Sequence, residues 1–187
     1  MKKYIRSFVE IGLHDVGLVG GKTASLGELY SVLSSQGVAV PNGFAVTAEA
    51  YRDALSQAGI ADELHRLLDG LDKRKIKQLA AIAAKAREIV YMAMDTGPLR
   101  EQIVEAYRQL EREAGAGVAV AVRSSATAED LPTASFAGQH ESFLNVRGAK
   151  DLFEACRRCF ASILPIARFP TASTTASITS KSSFRSP

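Results

Sequence analysis

The sequence predicts an α+β fold, a small mixed sheet with long helices beside it. Val118 to Val122 is a run of small apolar residues behind the breakers Gly115 and Gly117, the pattern of a short buried strand. Gly43 to Thr47 (GFAVT) leaves the turn Pro41-Asn42-Gly43 and reads as another short strand. Between them, Lys73 to Met94 is rich in Ala, Ile and Lys and predicts a long amphipathic helix.

The other elements follow in order. Ala24, Leu26, Leu29, Val32 and Leu33 recur at helical spacing, so Gly20-Gly21-Lys22-Thr23 reads as a loop opening a helix that Gly37 stops. Unpaired N–H groups and the positive end of the helix dipole lie near such a loop. Thr47 suits the N-cap of a helix reaching about Gln57, with Gly59 as its stop. Asp62 to Leu68 predicts a short helix, and Pro98 fits the first turn of one ending near Gly115. A strand over 118–123, a loop, a strand near Ser142–Val146 and a helix from Lys150 to Ile163 complete the body, residues 1–163. From Pro170 to Pro187, Ser and Thr supply more than half of the residues without apolar periodicity. That composition predicts a disordered tail over 164–187, because too little surface is buried to offset chain entropy.

Composition narrows the function classes. At 187 residues and 47% apolar, the chain suits one good-sized domain or two small ones. It has no bilayer-length apolar run and no cleavable leader, so the expectation is a cytoplasmic protein without a membrane partner. The net charge of +3 resides in the tail, where Arg168, Lys181 and Arg185 stand without an acid. The body is neutral, and nucleic acid is not an expected partner. Cys156 and Cys159 form one C-x-x-C with no second pair to complete a zinc site, and are expected to pack a helix.

The chemistry concentrates in Val122 to Val146. The strand delivers Arg123 beside the hydroxyls of Ser124, Ser125 and Thr127, and Ser135-Phe136-Ala137-Gly138-Gln139 follows as a small-residue loop. A guanidinium beside hydroxyls and exposable backbone N–H groups suits polyphosphate. The alternative for Arg123 is a salt bridge to Glu129 or Asp130; those acids could hold Mg²⁺ indirectly or be surface charges. Gly20-Gly21-Lys22 lacks the G-x-x-x-x-G-K-[ST] spacing, so its lysine is either a second cation converging on the phosphates or a solvated turn residue. His14, His65 and His140 have no partner spacing, and none reads as a nucleophile.

VGGKTASLGEL (Val19–Leu29), VAVPNGFAVTAEAY (Val38–Tyr51) and AVRSSATAEDLPTASFAGQHESFLNV (Ala121–Val146) closely resemble the N-terminal ATP-binding region of the phosphoenolpyruvate synthase (pyruvate, water dikinase) family. The resemblance runs from the N-terminus to about Ile163 and extends to pyruvate phosphate dikinase and rifamycin phosphotransferase. It implies the first part of an ATP-grasp-type domain, with ATP and Mg²⁺ as cofactors. Lys22 and Arg123 match the positions contacting ATP phosphates, and Ser135 to Gln139 match the loop over them. The Thr-Ser-His-Ala type motif of the phosphohistidine is absent. The second half of the nucleotide module, with its Mg²⁺-binding acids, and the pyruvate site are expected outside this chain. The resemblance therefore implies a fragment that is inactive alone and reaches pyruvate only through other domains. A rifamycin-type phosphotransferase module and an inactive nucleotide-binding remnant are the alternatives.

In the family, the helix through Cys159-Phe160-Ala161-Ser162 runs on into a segment like Asp-Arg-Ala-Ile-Ser-Tyr-Arg. Ala167-Arg168-Phe169-Pro170-Thr171 can be written in codons whose neighbouring frame reads that segment. The expectation is a single-base deletion near Pro165, leaving 166–187 out of frame. The nucleotide sequence is expected to yield the family segment in the neighbouring frame, and codons that cannot do so would overturn this reading.

Overall fold

A computed structural model of the chain describes residues 3–69, 76–126, 141–162 and 174–180. β1 (Ile5–Ser7) leads through two 3₁₀ turns (Phe8–Glu10 and Leu13–Asp15) into the one-turn helix α1 (Val16–Val19) and then α2 (Gly21–Ser35). β2 (Gly43–Val46) is followed by α3 (Ala48–Gln57), α4 (Ala61–Asp69), α5 (Ile76–Ala93) and α6 (Gly97–Ala114). β3 (Val120–Ala126), β4 (Ser142–Val146), α7 (Ala149–Ser162) and β5 (Thr174–Ser180) follow. The expected α+β class is what forms.

The strands order as β1-β2-β5-β3-β4. Every described pairing is antiparallel, so the sheet is not of mixed direction. The larger correction concerns the tail. Thr174–Ser180, placed by composition in a disordered segment, is the central strand of the sheet. The rest of 163–187 lies outside the described residues. Two physical features offset its polar composition. Ala176 and Ile178 are fully buried on one face, opposite Ser124 and Val122. On the other face, the Thr175 hydroxyl lies 2.7 Å from the Val19 carbonyl and 3.0 Å from that of Ser125, so its one proton is shared between two acceptors and the buried hydroxyl is satisfied. β-branched Thr and Ile also suit a pleated strand.

Strand alternation gives the sheet two buried faces. Phe44, Val46, Val120, Val122, Ala176 and Ile178 pack beneath α3 to α7 in the main core. There Tyr51 stacks on Phe160 with ring centroids 5.9 Å apart. The buried Tyr107 hydroxyl donates to the Val118 carbonyl (2.8 Å) and accepts from Gly148 N–H (2.9 Å), tying α6 to the entries of β3 and α7. Arg157 stacks 3.8 Å from the Tyr91 ring, and its Nε and Nη2 donate to the Tyr91 carbonyl, joining α7 to α5. On the second face Ala45 meets Phe8, Ile11, Val19 and Ala24, so α1 and α2 cover it.

Cys156 and Cys159 are both buried in the main core. Burial pushes the Cys156 thiol well above its ordinary range and Cys159 up to about 12, with the Glu141 charge adding to the latter. Both are packing residues, because a protonated thiol is neither a nucleophile nor a metal ligand. Among the described residues no helix is long and apolar enough to cross a membrane.

Gly43 marks the closest strand approach: a Cβ there would sit 2.0 Å from the Ile178 carbonyl oxygen. Gly43→Ala must part β2 from β5 and is expected to cost about 3 kcal/mol, as overpacking does. Urea unfolding measures it, and an unchanged midpoint would show that β5 does not lie against β2.

Candidate functional site

The second face of the sheet carries the site. β3 presents Arg123 and Ser125 on this face, and β5 presents Thr175 and Ser177 opposite Ser125 and Arg123 in the ladder. Above them, Gly20 ends α1 and starts α2 with φ 80° and ψ 156°, a backbone conformation that favours glycine. α2 therefore begins at Gly21, and Lys22 and Thr23 belong to its first turn rather than to a loop. That turn presents N–H groups without intrahelical partners and carries the positive end of the dipole of a 15-residue helix.

A cleft of about 540 Å³ opens between these elements. Gly21, Lys22 and Ser25 of α2 face Arg123, Ser124 and Ser177 of the sheet across it. Leu13, Val16, Leu26 and Leu29 form its apolar side, with Leu13 and Leu29 half exposed. Lys22 and Arg123 are both exposed, so two cations from distant segments border one solvent-open space. Among the described residues no carboxylate pairs with Arg123, whose sequence-stated alternatives Glu129 and Asp130 lie outside those residues.

The structure brings together four of the residues singled out above and separates their side chains. The pleat turns Ser124 away from Ser125. Ser124 borders the cleft, yet its Oγ donates to the Glu141 carbonyl at 3.3 Å. Ser125 Oγ is buried on the Arg123 face without a hydrogen-bond partner, as is Thr23 Oγ1 in the first turn of α2. Thr127, Ser135, Ala137, Gly138 and Gln139 lie outside the described residues. His14 is an exposed side chain 3.2 Å from the Asp15 carboxylate; His140 and the side chain of His65 lie outside the description. Among the described residues no group of three or more His, Cys, Asp and Glu could hold a metal ion.

Sequence reasoning missed two contributors. Lys22, Ser25, Leu26 and Leu29 stand at i, i+3, i+4 and i+7, so helical spacing could have placed Ser25 beside Lys22. Ser177 offered no such signal, because its position depends on β5 entering the sheet.

A strand-borne arginine facing a lysine at a helix start, across a hydroxyl-lined cleft, makes this an α+β domain with a cationic cleft. The chain belongs to the family described as pyruvate phosphate dikinase, AMP/ATP-binding domain, whose model matches residues 16–166. It is similar to a phosphoenolpyruvate synthase of Pseudomonas aeruginosa (strain UCBPP-PA14), 49% identical over 163 residues, covering 87% of this chain and 20% of that protein. It is also similar to one of Synechocystis sp. (47% over 161 residues; 83% and 20%) and one of Escherichia coli K12 (46% over 154 residues; 82% and 19%). The chain spans about a fifth of the length of these curated relatives.

Thr175 fastens the α1–α2 junction to β3 through the Val19 and Ser125 carbonyls. Thr175→Val keeps the shape and leaves those buried acceptors short of a donor, so stability is expected to fall by about 1–3 kcal/mol while Thr175→Ser retains most of it. Equal urea midpoints for the Val and Ser variants would contradict the bond.

Proposed function

We propose that this chain binds the polyphosphate of Mg·ATP in the cleft between α2 and the β3–β5 face. The observation supporting this most directly is the convergence of Lys22 and Arg123 on one open cleft beside a helix N-terminus. Lys22 offers a point charge and Arg123 a planar fork suited to two phosphate oxygens. The family match supplies the nucleotide as the source of that phosphate. Ser125, Thr127 and the loop holding Ser135, Ala137, Gly138 and Gln139 complete the proposed contacts. Ser124, whose N–H and Oγ both donate to the Glu141 carbonyl, borders the cleft without a donor to spare. Mg²⁺ would arrive chelated by the phosphates, with its protein ligands mostly outside this chain.

The larger activity we assign is that of a phosphoenolpyruvate synthase: ATP, pyruvate and water giving phosphoenolpyruvate, AMP and phosphate. The relatives named above support it. In that reading the domain is the first part of an ATP-grasp-type module, and the chain is a cytoplasmic fragment that meets pyruvate only through other domains. Its share of catalysis is to hold the phosphates and neutralise their charge, the main requirement of phosphoryl transfer.

Calorimetric titration of Mg·ATP into the chain is expected to show weak binding, reduced roughly tenfold or more by Arg123→Ala, since charge-assisted bonds are the strong ones. No heat of binding by the unaltered chain would overturn the proposal. A coupled assay of the same sample is expected to show no pyruvate-dependent AMP; AMP formation would refute the fragment reading.

A further inference from the structure

Ser177 lies beyond the residues that the family model matches, so family membership assigns it nothing. It nevertheless stands in the cleft. Its cross-strand partner on β3 is Arg123, and on β2 it is Ala45, so it sits in the middle of the sheet rather than at a frayed edge. It lines the cleft together with Lys22, Ser25 and Arg123, though only 3% of its surface is exposed. Among the described residues no protein group hydrogen-bonds to its Oγ, and the residue lines the open cleft. The Ser125 hydroxyl, two residues along the same face of β3 from Arg123, is a buried atom without a hydrogen-bond partner. A hydroxyl that lines the cleft between two cations, with its proton uncommitted to protein, suits an acceptor from outside the protein.

From these observations we infer that Ser177 is a further binding residue of the site, donating its Oγ–H to a phosphate oxygen held between Lys22 and Arg123. The inference rests on the nucleotide reading given above. Its geometry follows from the register. The Thr175 hydroxyl, bonded to the Val19 and Ser125 carbonyls, locks β5 two residues before Ser177. That lock sets Ser177 level with Arg123 and holds it beneath the start of α2. A hydroxyl at this height supplies a short neutral donor on the floor of the cleft, whereas Lys22 and Arg123 approach from its exposed rim. The ligand class is the polyphosphate of a nucleoside triphosphate, an acceptor-only group that matches three donors converging from three segments.

The test is titration of Mg·ATP into the full chain carrying Ser177→Ala, or the isosteric pair Ser177→Thr and Ser177→Val. Thr179→Ala, on the same face of β5 but outside the cleft lining, is the control. Loss of one donor to a charged acceptor is expected to weaken binding about tenfold in the Ala and Val variants. Ser177→Thr is expected to retain binding, and Thr179→Ala to match the unaltered chain. The Thr and Val variants share shape and strand preference, so they isolate the hydroxyl even if Ser177→Ala folds poorly. Equal affinity of the Thr and Val variants, with Arg123→Ala still impaired, would overturn the role of Ser177 and leave the nucleotide reading standing. Absence of binding by the unaltered chain would overturn both.

Discussion

β5 is hydrogen-bonded along both edges, to β2 on one side and β3 on the other, and the rest of the molecule depends on that insertion. Remove it and β1-β2 and β3-β4 become separate two-stranded pairs, each too small to bury a face by itself. With it, Phe44, Ile178 and Val122 line up across three strands and give α3 to α7 one continuous apolar floor. The same seven residues of β5 bring Thr175 and Ser177 to the opposite face. Fold and site therefore share a strand.

The division of labour between the faces is a consequence of the pleat. Residues of β3 alternate between core and cleft, so Val122 and Ser124 serve one side while Arg123 and Ser125 serve the other. Arginine is tolerated there because its strand position opens onto solvent beside α2 and not into the main core. The helix contributes in a complementary way. Gly20 turns the chain so that α2 starts over the sheet, and its first turn faces the cleft instead of solvent at large. The cations converge because two backbone features, one pleat and one glycine corner, aim them.

The cysteines show how location decides chemistry. A C-x-x-C pair on a helix has the spacing for redox or metal work, yet α7 turns this pair into the core, where burial holds both thiols protonated. Nothing in the spacing distinguishes those outcomes. The apolar neighbours Phe153, Phe160 and Ala161 do, and they identify α7 as a helix packed against the sheet.

Much was legible from residue order alone. The turn at Pro41-Asn42-Gly43, the cap at Thr47, Pro98 in a first turn, and the stops at Gly59 and Gly115 mark α3 and α6, because caps and breakers act through local backbone chemistry. Lys22 and Arg123 were also identifiable as candidates, since one opens a helix and the other ends a strand in the local pattern. β5 was not. With Ile178 as its one large apolar side chain, Thr174–Ser180 has too little hydrophobic signal to declare itself, and its Ser/Thr content resembles that of a solvated tail. Strand pairing is a long-range interaction: β5 forms because β2 and β3 offer two open edges and the Val19 and Ser125 carbonyls accept its threonine. The sequence by itself marked the longer helices, most of their ends and two candidate cations. Only the tertiary structure decided that a polar tail segment completes the sheet and places Ser177 beside Arg123.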